Sequence, residues 1–353
     1  MNAPVSLSLK AQAVDLADAR MCERIDCFVQ EMGASVFHRP NWLLAVEKAT
    51  GQRAGGFVIE QLGVIQGWLP LTEVRSFLFG KALVSSGFGV GGGICAERAE
   101  VAAKLAEAAQ NHAKAHGFTS VELRGGEVPD GWQAVTDKHC GFGRRLSADD
   151  EAELLAIPRK SRAEVRKGLK NNLEVRIGRS AQDLTAHYAC YSESVRNLGT
   201  PVFPKALFRQ MLEAFPAGSD ILTIARDGTP LASVLSFYHN EAVLPFWGGG
   251  SFAARGARAN ELMYYELMRH ARARGMTRFD FGRSKVGSGP AKFKKNWGFE
   301  PQPLTYGHWT PPGAEPRDVD PTSEAYSRKI ELWKKLPLPV ANTIGPFIAR
   351  GLA

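Results

Sequence analysis

The chain writes one helix-to-strand phrase twice. HAKAHGFTSVELRGG spans 112–126 and HARARGMTRFDFGRS spans 270–284. In register, His112 meets His270, Gly117 meets Gly275, Thr119 meets Thr277 and Glu122 meets Asp280. Upstream, GVIQGWLPL at 63–71 answers GTPLASVLS at 228–236, each a turn glycine followed by a β-prone run. GGG recurs at 91–93 and 248–250, ahead of helical patterns near 97–116 and 259–274. Both helices stop at a glycine, the usual C-terminal signal. Downstream, KHCGFGRRL at 138–146 answers KNWGFEPQPL at 295–304. Such a unit exceeds a solenoid repeat and predicts two similar α+β domains from an internal duplication. We read these as 1–147 and 148–353, the second with a basic helical lead-in and a C-terminal tail.

The repeat separates fold from function. Features in both copies are explained by the fold, and features in one copy are candidates for chemistry. His112 and His270 recur near helix C-termini, where an imidazolium suits the dipole, so they read as structural. Glu122 and Asp280 recur too, and either is a candidate catalytic base beside the structural reading. After the shared strand the copies part. Copy one continues RGGEVPDGWQAVTDKHCGF and copy two continues GRSKVGSGPAKFKKNWGF. The second is basic and glycine-rich, with Arg283, Lys285, Lys292, Lys294 and Lys295 beside Gly287 and Gly289. Glycines let backbone N–H groups approach an anion and lysines add charge, which predicts an anion-binding loop.

Two more stretches carry charge. PRKSRAEVRKGLKNN, 158–172, puts Arg162, Arg166 and Lys170 on one helix face. It reads as a solvated helix or as a landing site for an RNA backbone or lipid headgroups. YSESVRNLGTPVFPKALFRQML, 191–212, places Arg196 beside a turn. The net charge of +8 favours anionic partners without choosing among them. The 5 cysteines are odd in number and lack a C-x-x-C pair, which argues against a disulfide framework and a zinc site. The N-terminus is not a signal peptide and no apolar run reaches the roughly 18 residues of a span, so a cytoplasmic protein is expected.

DFGRSKVGSGPAKFKKNWGFEPQPLTY closely resembles the C-terminal signature of FemAB/FemX-like proteins. RNLGTPVFPKALFRQM and PRKSRAEVRKGLKN resemble that family as well. The likeness covers most of the chain, strongest over 155–306. It is nearest the FemAB-like branch associated with exosortase/PEP-CTERM and exopolysaccharide gene clusters, which the closing LWKKLPLPVANTIGPFIARGLA also resembles. The resemblance implies two tandem GNAT-like (acyl-CoA N-acyltransferase) domains and acyl or aminoacyl transfer to an amine. The donor would be aminoacyl-tRNA or acyl-CoA, used as a substrate, with no tightly bound cofactor. Lys294 matches the family lysine near the transferred group, and Arg196 matches a helix arginine used for acceptor phosphates. Two departures stand out. There is no long coiled-coil arm. There is no acetyl-CoA pyrophosphate loop either, because around Gly256 the chain has Ala253 first and Arg258 last.

These readings nominate Lys294, Tyr264 and Asp280 as catalytic. Arg196, Arg283, Lys285, Lys292, Gly287 and Gly289 are nominated to bind anionic donor or acceptor groups, tRNA among them, and no metal is expected. The rivals are a non-catalytic protein that binds RNA or a glycan precursor, and a CoA-dependent acyltransferase. The tail from Leu332 either packs on the body or touches a membrane surface. Its prolines argue against a long amphipathic helix.

Overall fold

The computed structural model describes residues 9–315 and 324–352. The described parts of residues 1–136, 305–319 and 350–353 form one compact unit, and those of 137–304 and 320–349 form another.

In the first unit the order is β1 (Ala11–Ala13), α1 (Ala19–Glu31), α2 (Pro40–Thr50), β2 (Arg53–Gln61), β3 (Val64–Ser76), β4 (Gly80–Val84), β5 (Cys95–Ala96), α3 (Ala99–His116), β6 (Ser120–Arg124) and β7 (Gln133–Val135). The second unit begins with β8 (His139–Arg145), α4 (Asp150–Ala156), α5 (Arg159–Leu169), β9 (Glu174–Gly178), α6 (Ala181–Leu198), α7 (Lys205–Ala214), β10 (Ser219–Arg226), β11 (Thr229–His239) and β12 (Ala242–Gly250). It continues with α8 (Phe252–Ala257), α9 (Ala259–Ala273), β13 (Arg278–Lys285), α10 (Gly289–Asn296) and β14 (Pro301–Pro303). Strand β15 (Tyr306–Trp309) returns to the first unit, and α11 (Glu324–Lys334) and α12 (Leu338–Ala349) belong to the second.

The first sheet runs β1-β2-β3-β4-β6-β15-β7, with β5 paired to β3. The second runs β14-β8-β13-β12-β11-β10-β9. The duplicated phrase folds as the repeat predicts. Helix α3 stops at Gly117 and α9 just before Gly275, both in the left-handed region at φ 69° and 80°, and β6 and β13 follow. His112 Nε2 contacts Glu73 Oε1 at 3.0 Å and His270 Nε2 contacts Asp220 Oδ2 at 2.8 Å. Each recurrent histidine thus ties its helix to a carboxylate on the sheet beneath.

Three expectations are corrected. The two GGG runs are not equivalent, because 248–250 end strand β12 whereas 91–93 lie in the loop after β4. The glycine-rich basic stretch is not all loop, because Ser288 caps a helix, its side chain accepting from Ala291 N–H, and α10 carries the lysines. The strand at 139–145 pairs with β13 and β14 in the second sheet. Alternation of side chains fixes which face a strand buries but not which sheet accepts it.

The second unit's core lies between its sheet and α9, α5 and α10. Phe279, Phe281, Phe299, Trp297, Met263, Met268 and Val234 are buried there. Removing one such ring costs about 3–5 kcal/mol.

Candidate functional site

The sites of interest sit where two parallel strands part. β12 and β13 pair only at Ala242–Arg278 and Val243–Phe279. Beyond that point β12 follows β11 to Gly250, while β13 follows β8 to Lys285. The sheet therefore opens into a wedge toward the C-terminal ends of β12 and β13. Ser251 N–H donates to Leu231 O at 2.8 Å. Bonded and unbonded pairs alternate in an antiparallel ladder, so Gly248 and Gly250 turn their backbone groups toward the wedge.

The first unit lacks this opening. β4 and β6 stay paired through Val84–Glu122, and Ser85 N–H then donates to Glu122 O at 2.8 Å. Gly93 N–H donates to Arg124 O at 2.9 Å. Arg124 N–H donates to Ser85 Oγ at 2.8 Å and its guanidinium to Gly89 O at 2.9 Å. The same gap is stitched shut, and only the second copy keeps it open.

Of the three catalytic nominees, Tyr264 and Lys294 lie against Phe281, and Asp280 precedes that residue on β13. Tyr264, on α9, lies across the wedge. Its ring is 4.6 Å from that of Phe281 on β13, and its hydroxyl is 3.1 Å from where a Cβ on Gly248 would stand. Among the described residues the hydroxyl has no hydrogen-bond partner, and burial pushes its pKa up to about 12. At neutral pH it is a proton donor and not a base.

Lys294 is buried at 9% exposure. Its Nζ donates to Gly282 O at 3.2 Å and Arg283 O at 3.0 Å. It also lies 5.4 Å from the ring centres of Phe142 and of Phe281. A bulge in β13 between Asp280 and Arg283 turns these carbonyls inward, with Gly282 at φ 67°. Burial lowers the ammonium pKa to about 8, and the nearby charge of Asp280 opposes that shift. Asp280 Oδ1 accepts from Gly282 N–H at 2.9 Å. Burial raises its pKa, against that bond and the pull of Lys294 and Arg278. Burial thus moves both groups toward their neutral forms.

The binding nominees divide. Arg283 lies on the bulge opposite Gly141, and Lys285 ends β13. Gly287 (φ 75°) and Gly289 have open space where a side chain would stand. Lys292 is exposed on the outer face of α10, whereas Lys294 points inward. Two residues apart on a helix are about 200° apart, so the two lysines cannot serve one anion as neighbours. Arg196 is elsewhere: on α6, it donates from Nη1 to Lys334 O at 3.1 Å and so bonds a C-terminal carbonyl of α11.

Beside the wedge, α5 approaches α10 through Ser161 Oγ, which donates to Asn296 O at 2.7 Å. It meets the start of α9 at Gly168, where a Cβ would stand 3.0 Å from Arg258 O. Arg166 and Lys170 of its outer face are exposed, whereas Arg162 is half-buried and donates to Leu155 O at 3.3 Å. An open cleft of about 760 Å³ lies at the other end of β13, lined by Arg145, Asp150, Arg269 and Arg272. Its Arg269 and Arg272 are already paired with Asp150.

Sequence reasoning missed Glu193. Its Oε1 accepts from Phe252 N–H at 2.8 Å, so a carboxylate sits at the start of the first helix after β12. Arg258, which joins α8 to α9 at φ 60°, pairs with Glu164 at 2.6 Å. No local pattern announces Glu193, because its partner is 59 residues away.

Residues 159–295 match the family model described as acetyltransferase (GNAT) domain. No curated protein matches the chain in sequence. In fold the chain is similar to FemX, with a TM-score of 0.65 and 15% identity over 84% of this chain and 97% of that one. It is similar to a tandem GNAT protein from the clavulanic acid biosynthesis pathway, with TM-score 0.54 and 13% identity over 88% of this chain and 100% of that one. It is also similar to L-PGS from Bacillus licheniformis, with TM-score 0.53 and 14% identity over 93% and 96%. The fold is the mixed α+β architecture of tandem GNAT proteins, and the segment that matches the acetyltransferase domain includes the wedge.

Proposed function

We propose that the protein is an N-acyltransferase whose chemistry occupies the wedge of the second unit. The observation that carries this reading is the contrast between the open β12–β13 wedge and its closed counterpart at β4–β6. An extended donor enters between the strands and its carbonyl meets backbone N–H groups of β12. The acceptor amine attacks that carbonyl, forming the C–N bond and a tetrahedral oxyanion. The leaving oxygen or sulfur departs with a proton, and the nitrogen loses one. Lys294 stabilises the negative charge, Tyr264 donates the proton and Asp280 accepts the other. Arg283, Lys285 and Lys292 steer anionic groups, with Gly287 and Gly289 allowing close approach.

The donor read here is an aminoacyl ester on tRNA. Glu193 supports it, since a carboxylate at the start of α8 repels a pyrophosphate at that helix N-terminus. The exposed cations of α5 support it by offering an RNA backbone a landing face. The acceptor is an amine of a cell-envelope or exopolysaccharide precursor, in keeping with the PEP-CTERM-associated branch that the sequence resembles.

The test is mass spectrometry of purified protein with charged tRNA, an acyl-CoA panel and an amine-bearing extract. Consumption of charged tRNA with a new N-acyl product is expected. Turnover with CoA thioesters alone would make it a CoA-dependent enzyme. A ligand that binds and is never modified would make it a binding protein. Tyr264→Phe provides a finer check. The hydroxyl has no partner to lose, so stability should change by less than about 0.5 kcal/mol. Turnover should fall on the order of a hundredfold, as for a lost general acid. Unchanged turnover in single-turnover assays would remove Tyr264 from the mechanism.

A further inference from the structure

Helix α12 is built the wrong way round for a helix whose only task is packing. Its small residues face the body: Ala341, Gly345 and Ala349 are buried, with Gly345 against Val202. Asn342 Nδ2 donates to Ser192 Oγ at 3.3 Å on α6. Three of its larger apolar side chains face outward, while Leu338 and Ile348 are half-buried. Val340 is 40% exposed, Ile344 43% and Phe347 67%, a stripe at helical spacing. Leu332 on α11 is 67% exposed. A helix that needed only the body would bury the large residues and expose the small ones.

Charge selects the occupant. α12 has no charged residue, and from Leu332 to the end the sequence contains no acid. The charges there are Lys334 and Lys335 before the helix and Arg350 after it. Lys335 is exposed, and Lys334 pairs with Glu331 at 2.6 Å. An uncharged helix with an apolar outer face and cations at both ends fits an anionic phospholipid surface. A second copy would bring the same cations against themselves. At about 1.5 Å per residue, α12 is roughly 18 Å long, too short to cross a bilayer. Among the described residues no helix is long and apolar enough to do so. The prolines, expected to argue against a long amphipathic helix, are compatible with this short one: Pro339 falls in its first turn and Pro346 interrupts it once.

We propose that α12 lies in the interface of an anionic phospholipid membrane, its Val340–Ile344–Phe347 face among the acyl chains and Lys335 against the headgroups. The test is co-sedimentation of the full chain with vesicles of phosphatidylcholine alone and of an equimolar mixture with phosphatidylglycerol. The wild type should sediment with the mixed vesicles and remain in solution with the neutral ones. Ile344→Ser with Phe347→Ser should weaken partitioning at least about tenfold. Lys335→Glu, exposed and remote from the core, should weaken it on the order of fivefold or more and keep the fold whatever the double variant does. Binding undiminished in these variants would assign it to another basic surface and overturn the proposal. So would a wild type that ignores both vesicles, or one that is a dimer dissociated by the double variant. None of these readouts needs turnover.

Discussion

Lys294→Met is expected to abolish N-acyl transfer while the protein stays folded. Methionine keeps the stem and loses the ammonium, so a transition-state charge loses its cation. Two stability effects oppose each other. The carbonyls of Gly282 and Arg283 lose their donor, at about 1–3 kcal/mol each. Relief of burying an ammonium returns several kcal/mol. The melting temperature should therefore move by only a few degrees. The pH profile provides a sharper check. With its pKa near 8, the wild-type ammonium is lost as pH rises through that value, so the rate should fall there. Lys294→Arg should displace that limb upward, because a guanidinium stays charged. Stability should follow the opposite sign. The folded pKa lies below the ordinary 10.5, so between pH 8 and 10.5 the unfolded chain holds a proton that the native chain has released. Wild-type stability should gain about 3 kcal/mol over that window relative to Lys294→Met. Urea midpoints at the two ends of the window measure it, and parallel curves would show that burial has not depressed this amine.

Asp220→Ala is expected to have the largest effect on folding. Asp220 is 3% exposed on β10. It accepts from Tyr238 Oη at 2.7 Å and contacts His270 Nε2 at 2.8 Å and Arg274 Nη1 at 3.3 Å. The Arg274 guanidinium also lies 3.9 Å above the Tyr238 ring. Alanine strands a cation, an imidazole and a phenol together, at about 3–5 kcal/mol. Asn keeps the shape and should cost less. Thermal unfolding of the two variants checks the order, and equal stabilities would mean that the shape and hydrogen bonding Asn keeps contribute nothing once the charge is gone.

His270 shows what the sequence made legible. Its recurrence as His112 marked both histidines as parts of the fold, and each holds a carboxylate of its own sheet. The helix stops at Gly117 and Gly275 were legible for the same reason, since a left-handed glycine is a local requirement. The exchange of β8 into the second sheet was not, because strand pattern does not name a partner. Lys294 is nominated from a basic, glycine-rich stretch expected to be a loop, and the helix that forms there puts it on the face opposite Lys292. The wedge itself left no mark in the sequence. It depends on how far two strands stay together, and the contrast lies in Arg124 and Ser85 closing one copy.

The most direct test of a single open wedge is amide hydrogen exchange of the wild-type protein with two non-reacting donors. One is tRNA carrying an amide-linked amino acid and the other is CoA. Protection is expected over 245–250 and 281–285 with the tRNA donor, and no change over 82–94. Protection over 82–94, or none in the β12 and β13 segments with either donor, would contradict the assignment of the chemistry to the second unit.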